Sequence, residues 1–154
     1  MATPEERLAE LGLSVPEVVP PVAAYVPALR TGSYVYTAGQ VPLRDGKPVA
    51  TGKVGAEVSP ELAKECAQQC ALNAIAALAT QVENLSQVAR IVKVVAFVAS
   101  APDFTGQPAV ANGASELLGD AFGDAGVHAR SAVGVAVLPL DVPVEVELIA
   151  EVTG

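Results

Sequence analysis

The spacing of apolar residues changes repeatedly along the chain, and each change marks an element. Thr3-Pro4-Glu5-Glu6 opens the first one: Thr3 suits a helix N-cap, Pro4 the first helical position and Glu6 the far side of a capping box. A short helix of about two turns is predicted to follow, ending at Gly12. The stretch "SVPEVVPPV" that comes next carries three prolines, so it reads as an extended arm. "VAAYVPALRTGSYVYTAGQVP" reads as a strand, a turn at Thr31-Gly32-Ser33 and a second strand from Tyr34 to Val41. "LRDGKPVATGKVG" is rich in turn residues, with a short strand near Val49.

Ser59-Pro60-Glu61 starts the main helix, again with a capping residue followed by proline. Its apolar stripe is Leu62, Ala63, Cys66, Ala67, Cys70, Ala74, Ala77 and Leu78, while Glu61, Lys64, Glu65 and Gln68 face away. "RIVKVVAFVAS", Arg90 to Ser100, is β-branched and nearly continuous, the pattern of a buried central strand. Lys93 is its only interior charge. A second helix is predicted over Pro108 to Phe122, weakened by Gly113 and Gly119, and "GDAGVHA" is a loop. The last segment gives two strands joined by "LPLDVP". In the first, Arg130, Ala132, Gly134 and Ala136 share a face; in the second, Glu145, Glu147 and Glu151 alternate with Val144, Val146, Leu148 and Ala150.

Strand, strand, helix, strand, helix, strand, strand is an α+β order, best met by a single mixed sheet with two helices on one face. The other face then lacks cover, and we expect copies of the chain to pack there, sheet against sheet. Small residues beside Arg130 suggest close approach by another backbone or a ligand. Residues 1–21 form the short helix and arm, and residues 22–154 a single domain. At 154 residues the chain buries enough surface to fold without disulfide or metal. Charged residues are only 17% against 51% hydrophobic, which again points to a subunit interface. The helix at 60–82 carries too many polar groups to span a bilayer, and "MATPEERLAELG" lacks a signal-peptide pattern, so a cytoplasmic location is expected. With 9 Lys+Arg against 17 Asp+Glu and no basic run, the charge balance argues against nucleic acid as a partner.

Arg130 is the last cation in the chain, and Lys93 is the one before it. Its plain reading is an ion pair with Glu147 or Glu151. Its functional reading is a fork for a carboxylate, since guanidinium matches that group in shape and charge. Glu145 is either a solvated residue of an edge strand or an acceptor that orients water. Cys66 and Cys70 are one helical turn apart, but zinc needs three or four ligands and no second pair is present, so no metal is expected. His128, the only histidine, stands two residues before Arg130 and reads as a base or as part of a site's rim. Tyr25, Tyr34 and Tyr36 fall in the first hairpin. "TAGQVP" has too few glycines for a nucleotide loop.

"YVYTAGQVP", then an alanine-rich helix, then "VVAFVASAPDF" and "ARSAVGVAVLPLDVPVEVELIA" together resemble the reactive-intermediate deaminase family, RidA or YjgF-like. The resemblance covers Val22 to Val152. It implies a chorismate-mutase-like α+β fold, a homotrimer with sheets facing inward, and ligand clefts between subunits. It implies hydrolysis of an enamine or imine of a 2-keto acid to the keto acid and ammonia, with no cofactor. Arg130 matches the family arginine that grips the substrate carboxylate, and Glu145 the glutamate near the water. Tyr25 matches a substrate-binding tyrosine, and backbone at Ala132 would face the substrate. The sequence departs from the pattern at Ala23-Ala24 before Tyr25, at Ala132 where Cys is common, and at His128 where proline is usual. A non-catalytic trimer holding small carboxylates in the same cleft is the alternative, and an endoribonuclease is a third reading that the acidic balance disfavours.

Overall fold

The computed structural model describes residues 1–21 and 23–154; Val22, where the sequence puts the start of the domain, lies outside the described residues. Helix starts follow the capping chemistry. Thr3 Oγ1 accepts from Glu6 N (3.1 Å) and Glu6 Oε2 accepts from Thr3 N (2.9 Å), closing the capping box of α1 (Pro4–Glu10). Ser59 Oγ accepts from Leu62 N (3.1 Å) at the head of α2 (Pro60–Ala79). The third helix, α3 (Gln107–Phe122), is followed by a 3₁₀ turn at Gly123–Gly126 where the sequence suggests only loop.

The strands are β1 (Ala28–Thr31), β2 (Tyr34–Thr37), β3 (Leu43–Arg44), β4 (Lys47–Pro48), β5 (Val88–Ala99), β6 (Ala129–Val135) and β7 (Val144–Val152). Five of them form one mixed sheet in the order β1-β2-β7-β5-β6, with β5 and β6 parallel and the other pairs antiparallel. The fold is α+β, as the order of elements predicts. β3 and β4 form a separate two-residue hairpin, with Asp45 and Gly46 at positive φ (54° and 79°) as such a turn requires.

Two details differ from the pattern-based reading. β2 ends at Thr37 rather than Val41, and pairing with β7 resumes at Gln40, which exchanges both backbone hydrogen bonds with Val146 (2.8 and 3.0 Å). The extra residue in Thr37–Gly39 is an outward bend that a count of apolar residues does not reveal. β5 is interior, but β7 is the middle strand, so the edge-strand reading of Glu145 is corrected. β5 also shifts register between Val88 and Arg90 and between Ile91 and Lys93. Past the second shift Val94, Ala96 and Val98 face the helices, and Lys93, Val95 and Phe97 face away, half-exposed.

The helical face of the sheet is closed by α2 and α3. Val35, Val94, Val98, Val146, Leu148 and Ala150 meet Cys66, Cys70, Ala74 and Leu78 of α2 and Val110, Ala114 and Leu118 of α3 in one core. α1 lies on α3, with Leu8 fully buried in that core. α2 carries two buried polar groups that anchor the β3 loop. Asn73 Nδ2 donates to the carbonyls of Val41 (2.9 Å) and Leu43 (3.0 Å), and Gln69 links Asn73 (3.1 Å) to Arg44 Nε (3.0 Å). The other face is bare in the protomer: Leu29 is 61% exposed, Tyr36 46% and Val133 45%. A contiguous apolar face of this kind marks an interaction surface.

Gly113 of α3 sits so close to α2 that a Cβ there would collide with the Lys64 carbonyl, while one on Gly119 would meet nothing. In an exposed helix Gly→Ala stabilises by about 1 kcal/mol. We therefore expect opposite signs in chemical denaturation: Gly119→Ala gains up to ~1 kcal/mol, and Gly113→Ala loses about 1–3 kcal/mol through overpacking. Equal gains at both positions would refute this account of the α2–α3 contact.

Candidate functional site

Arg130 is the second residue of β6, the edge strand, and its register partner Val94 lies on the helical face. Its side chain therefore reaches toward α3. Nη1 donates to Asn112 Oδ1 (2.8 Å) and Ser115 Oγ (3.2 Å), and Nη2 donates to the Pro108 carbonyl (3.3 Å). All three acceptors are neutral. The ion pairs among the described residues are Arg44–Glu65 (3.7 Å) and Lys64–Glu116 (3.0 Å), so the expected partners Glu147 and Glu151 do not pair with Arg130. They lie on β7, beyond β5. A guanidinium has five N–H donors. Three are used, and Nε–H and one Nη2–H are without partner among the described residues. Those two nitrogens form the edge that a carboxylate engages with both oxygens.

His128 is drawn into the same cluster. Its Nε2 lies 2.8 Å from Ser115 Oγ and its Nδ1 2.6 Å from the Gly126 carbonyl. Both ring nitrogens thus have partners inside the protomer, leaving neither for the rim contact suggested by the sequence. Ala132, two residues on, shares the Arg130 face and packs at the border of the core. Among the small residues of this face, a Cβ on Gly134 would press on Gln107 Nε2 and Ser100 Oγ, side chains of the same protomer and neither another backbone nor a ligand. The neighbour is the start of α3.

Glu145 stands elsewhere. Its partner in β5 is Phe97, so it projects from the bare face, opposite to Arg130. Three residues along and two strands across, the two Cα positions are roughly 14 Å apart by strand spacing. The carboxylate rests against Gly39, where a Cβ would collide with it. Burial, and then the neighbouring charge of Glu147, push its pKa above the ordinary 4.5. Tyr25 is exposed in the bend before β1, the far edge of the sheet, about 19 Å from β6 by four strand spacings. One protomer therefore gathers Arg130, Ala132 and His128, and separates them from Glu145 and Tyr25.

Sequence reasoning missed Asn112, Ser115 and Pro108. They recur at i, i+4 and i+7 on α3, but Pro108 contributes only its backbone carbonyl, so no polar stripe marks the set in the sequence. It also missed Gly39, whose lack of a side chain makes room for Glu145. Cys66 and Cys70 are buried in the α2 core, and burial pushes the Cys66 thiol up to about 11, so neither is a ready thiolate. No helix among the described residues is long and apolar enough to cross a membrane.

Comparison with known proteins supports the family that the motifs resemble. Residues 16–152 match the family model described as Endoribonuclease L-PSP. The chain is 38% identical over 149 residues to Protein TCP17 of Trypanosoma cruzi, covering 96% of this chain and 93% of that one. Among solved structures it is similar to Atu1372 of Agrobacterium tumefaciens, of unknown function (40% identity, 97% and 92% coverage, TM-score 0.92). It is also similar to a Shewanella oneidensis protein whose name proposes an endoribonuclease activity (34% identity, 98% and 100% coverage, TM-score 0.95). E. coli YjgF is more distant, at 25% identity, 98% coverage of both chains and TM-score 0.62. With the motif order, the sheet topology and a family match over nearly the whole chain in agreement, this protein belongs to the YjgF/RidA family, the L-PSP family of the matching model.

Proposed function

We propose that the protein is a homotrimeric imine or enamine hydrolase acting on small 2-imino acids, with clefts between protomers. The observation that carries this reading is the Arg130 guanidinium, tied down by neutral acceptors and with Nε–H and an Nη2–H free among the described residues. A substrate carboxylate completes it, and each charged hydrogen bond so formed is worth roughly 1.5–3 kcal/mol. The separation of Arg130 from Glu145 and Tyr25 within a protomer favours a cleft in which one protomer supplies Arg130 and its neighbour Glu145. The bare sheet face with Leu29, Tyr36 and Val133 supplies the surface for such an assembly.

In this reading Glu145 takes a proton from a water molecule as the water oxygen bonds to the C=N carbon. The C=N π pair moves to nitrogen, which takes that proton back from Glu145, giving a carbinolamine. As the carbinolamine collapses, Glu145 carries its hydroxyl proton to the nitrogen, C=O re-forms and ammonia leaves, so one water is consumed for each keto acid released. The raised pKa makes Glu145 a stronger base than an ordinary carboxylate. Fixing the carboxylate at Arg130 holds the reacting carbon beside the water, and orientation supplies most of the rate. The remaining readings are a trimer that binds keto acids without turnover and an RNA-cleaving enzyme. The net charge of −8 weighs against the latter.

The test generates 2-iminobutanoate and follows its decay. We expect the protein to accelerate it and Arg130→Ala to abolish the acceleration. Decay unchanged by the protein, with 2-oxobutanoate still bound, would favour the binding trimer; RNA cleavage that survives Arg130→Ala would favour the nuclease. Mixing unfolded Arg130→Ala and Glu145→Ala chains and refolding them together tests the shared cleft. Each variant alone should be inactive, and the mixture should recover activity, because some clefts then combine an intact Arg130 with an intact Glu145.

The raised pKa of Glu145 also has a sign for stability. Its protonated form is favoured on folding, so its contribution is fully present below the unfolded value near 4.5 and is lost as pH rises through the higher folded value. Glu145→Gln should therefore be more resistant to urea than the parent at pH 7, with the difference vanishing toward pH 4. A variant less stable than the parent at pH 7 would contradict this.

A further inference from the structure

Arg130 is one end of a directional chain of hydrogen bonds, and with a neutral imidazole the chain has one consistent assignment. The Gly126 carbonyl can only accept, so His128 Nδ1 carries the proton of the 2.6 Å contact. In the neutral imidazole, Nε2 is then an acceptor, and the hydroxyl 2.8 Å away must donate to it. Ser115 Oγ, its proton so committed, turns its lone pairs toward Arg130 Nη1 at 3.2 Å. The far end is fixed too. Gly126 is buried, and a Cβ there would collide with the Leu118 carbonyl, so its backbone is pressed against α3.

We propose that Ser115 and His128 are positioning residues that set which edge of the Arg130 guanidinium meets the substrate carboxylate. Asn112 and Ser115 take both hydrogens of Nη1, and the Pro108 carbonyl takes one of Nη2. The guanidinium plane is thereby held against α3 from one side, and the Nε–Nη2 edge is the one presented. Without His128 the Ser115 hydroxyl can rotate and aim its own proton at the guanidinium, which repels rather than holds it. Without Ser115 one Nη1 hydrogen loses its acceptor and the plane can turn about Cδ–Nε. This rests on the carboxylate-binding reading of Arg130 given above. It goes further by giving His128, at the position where proline is usual in the family pattern, a function that does not involve touching the substrate.

The experiment measures 2-oxobutanoate binding by titration calorimetry and imine hydrolysis kinetics for the parent, Ser115→Ala, Ser115→Thr, His128→Phe and His128→Gln. Loss of one hydrogen bond to a charged group predicts a Kd and KM raised about ten- to hundredfold in Ser115→Ala, and by up to as much in His128→Phe, with kcat changed by less than about twofold. Ser115→Thr, which keeps the hydroxyl, should behave as the parent. His128→Gln, whose amide oxygen can accept from Ser115, should recover part of the loss. The same Ser115→Ala change is also made beside Arg130→Lys, which keeps a cation but offers no planar fork. There it should have no further effect, because Ser115 acts only through the guanidinium. Parent-like Kd and KM in both Ser115→Ala and His128→Phe would overturn the proposal. So would an equal loss in the Arg130→Lys background, or a fall in kcat at unchanged KM, which would assign Ser115 to the chemistry itself. If Arg130→Ala binds 2-oxobutanoate like the parent, it is the carboxylate-binding reading that fails, and this proposal with it.

Discussion

A guanidinium partly removed from water must find hydrogen-bond acceptors or cost several kcal/mol. In this protein Arg130 finds them on α3, and none of the three carries a charge. That choice of acceptors is the constraint from which the rest follows. A glutamate in place of Asn112 would neutralise the cation and close the site to anions. Neutral acceptors instead hold the side chain in place and leave its positive charge uncompensated. The chain is otherwise acidic, and the nearest cation earlier in the sequence is Lys93, whose Nζ faces Ser131 on the other side of the sheet (3.3 Å).

Placing α3 where it can do this depends on close packing behind it. The alanine- and cysteine-rich stripe of α2 and the bare backbone of Gly113 let the two helices approach to contact between main chains. That fixes α3, and α3 carries Pro108, Asn112 and Ser115 on one stripe facing β6. Core packing and ligand geometry are thus linked through a single helix. The opposite face of the sheet has no such layer within the protomer, and it bears Glu145, Tyr36 and Val133. The proposed trimer would cover that face and complete the clefts in one step, so that folding prepares Arg130 and assembly brings it the remaining groups.

Most of the architecture was legible because the local signals agreed with one another. Thr3 and Ser59 cap their helices as their positions require, and the alternation of Val144 to Val152 reports a sheet with one buried face. Where reading from pattern failed, the cause was a break in period. The bend at Thr37–Gly39 and the two register shifts in β5 each insert a residue, and hydrophobicity alone does not register an insertion in a run of valines and alanines. Arg130 stood out as an isolated cation beside an apolar strand. Its partners did not, because Asn112 and Ser115 lie 18 and 15 residues away on another element, and only the crossover from α3 to β6 brings them together.

The same geometry bears on what kind of ligand the site can select. A phosphodiester backbone offers many charges and is held by many cations, which an acidic chain with 9 Lys+Arg does not cluster here. A single fixed guanidinium edge suits a single planar carboxylate. The chemistry of the proposed imine hydrolysis is modest. A C=N bond beside a carboxylate is already electrophilic, so a strong nucleophile is not required, and buried, protonated Cys66 and Cys70 are consistent with a core role. What such a site needs is one oriented anion-binding edge and one base kept more basic than usual. In the proposed reaction Arg130, held by α3, would supply the first, and Glu145, its pKa raised by burial and by Glu147, the second.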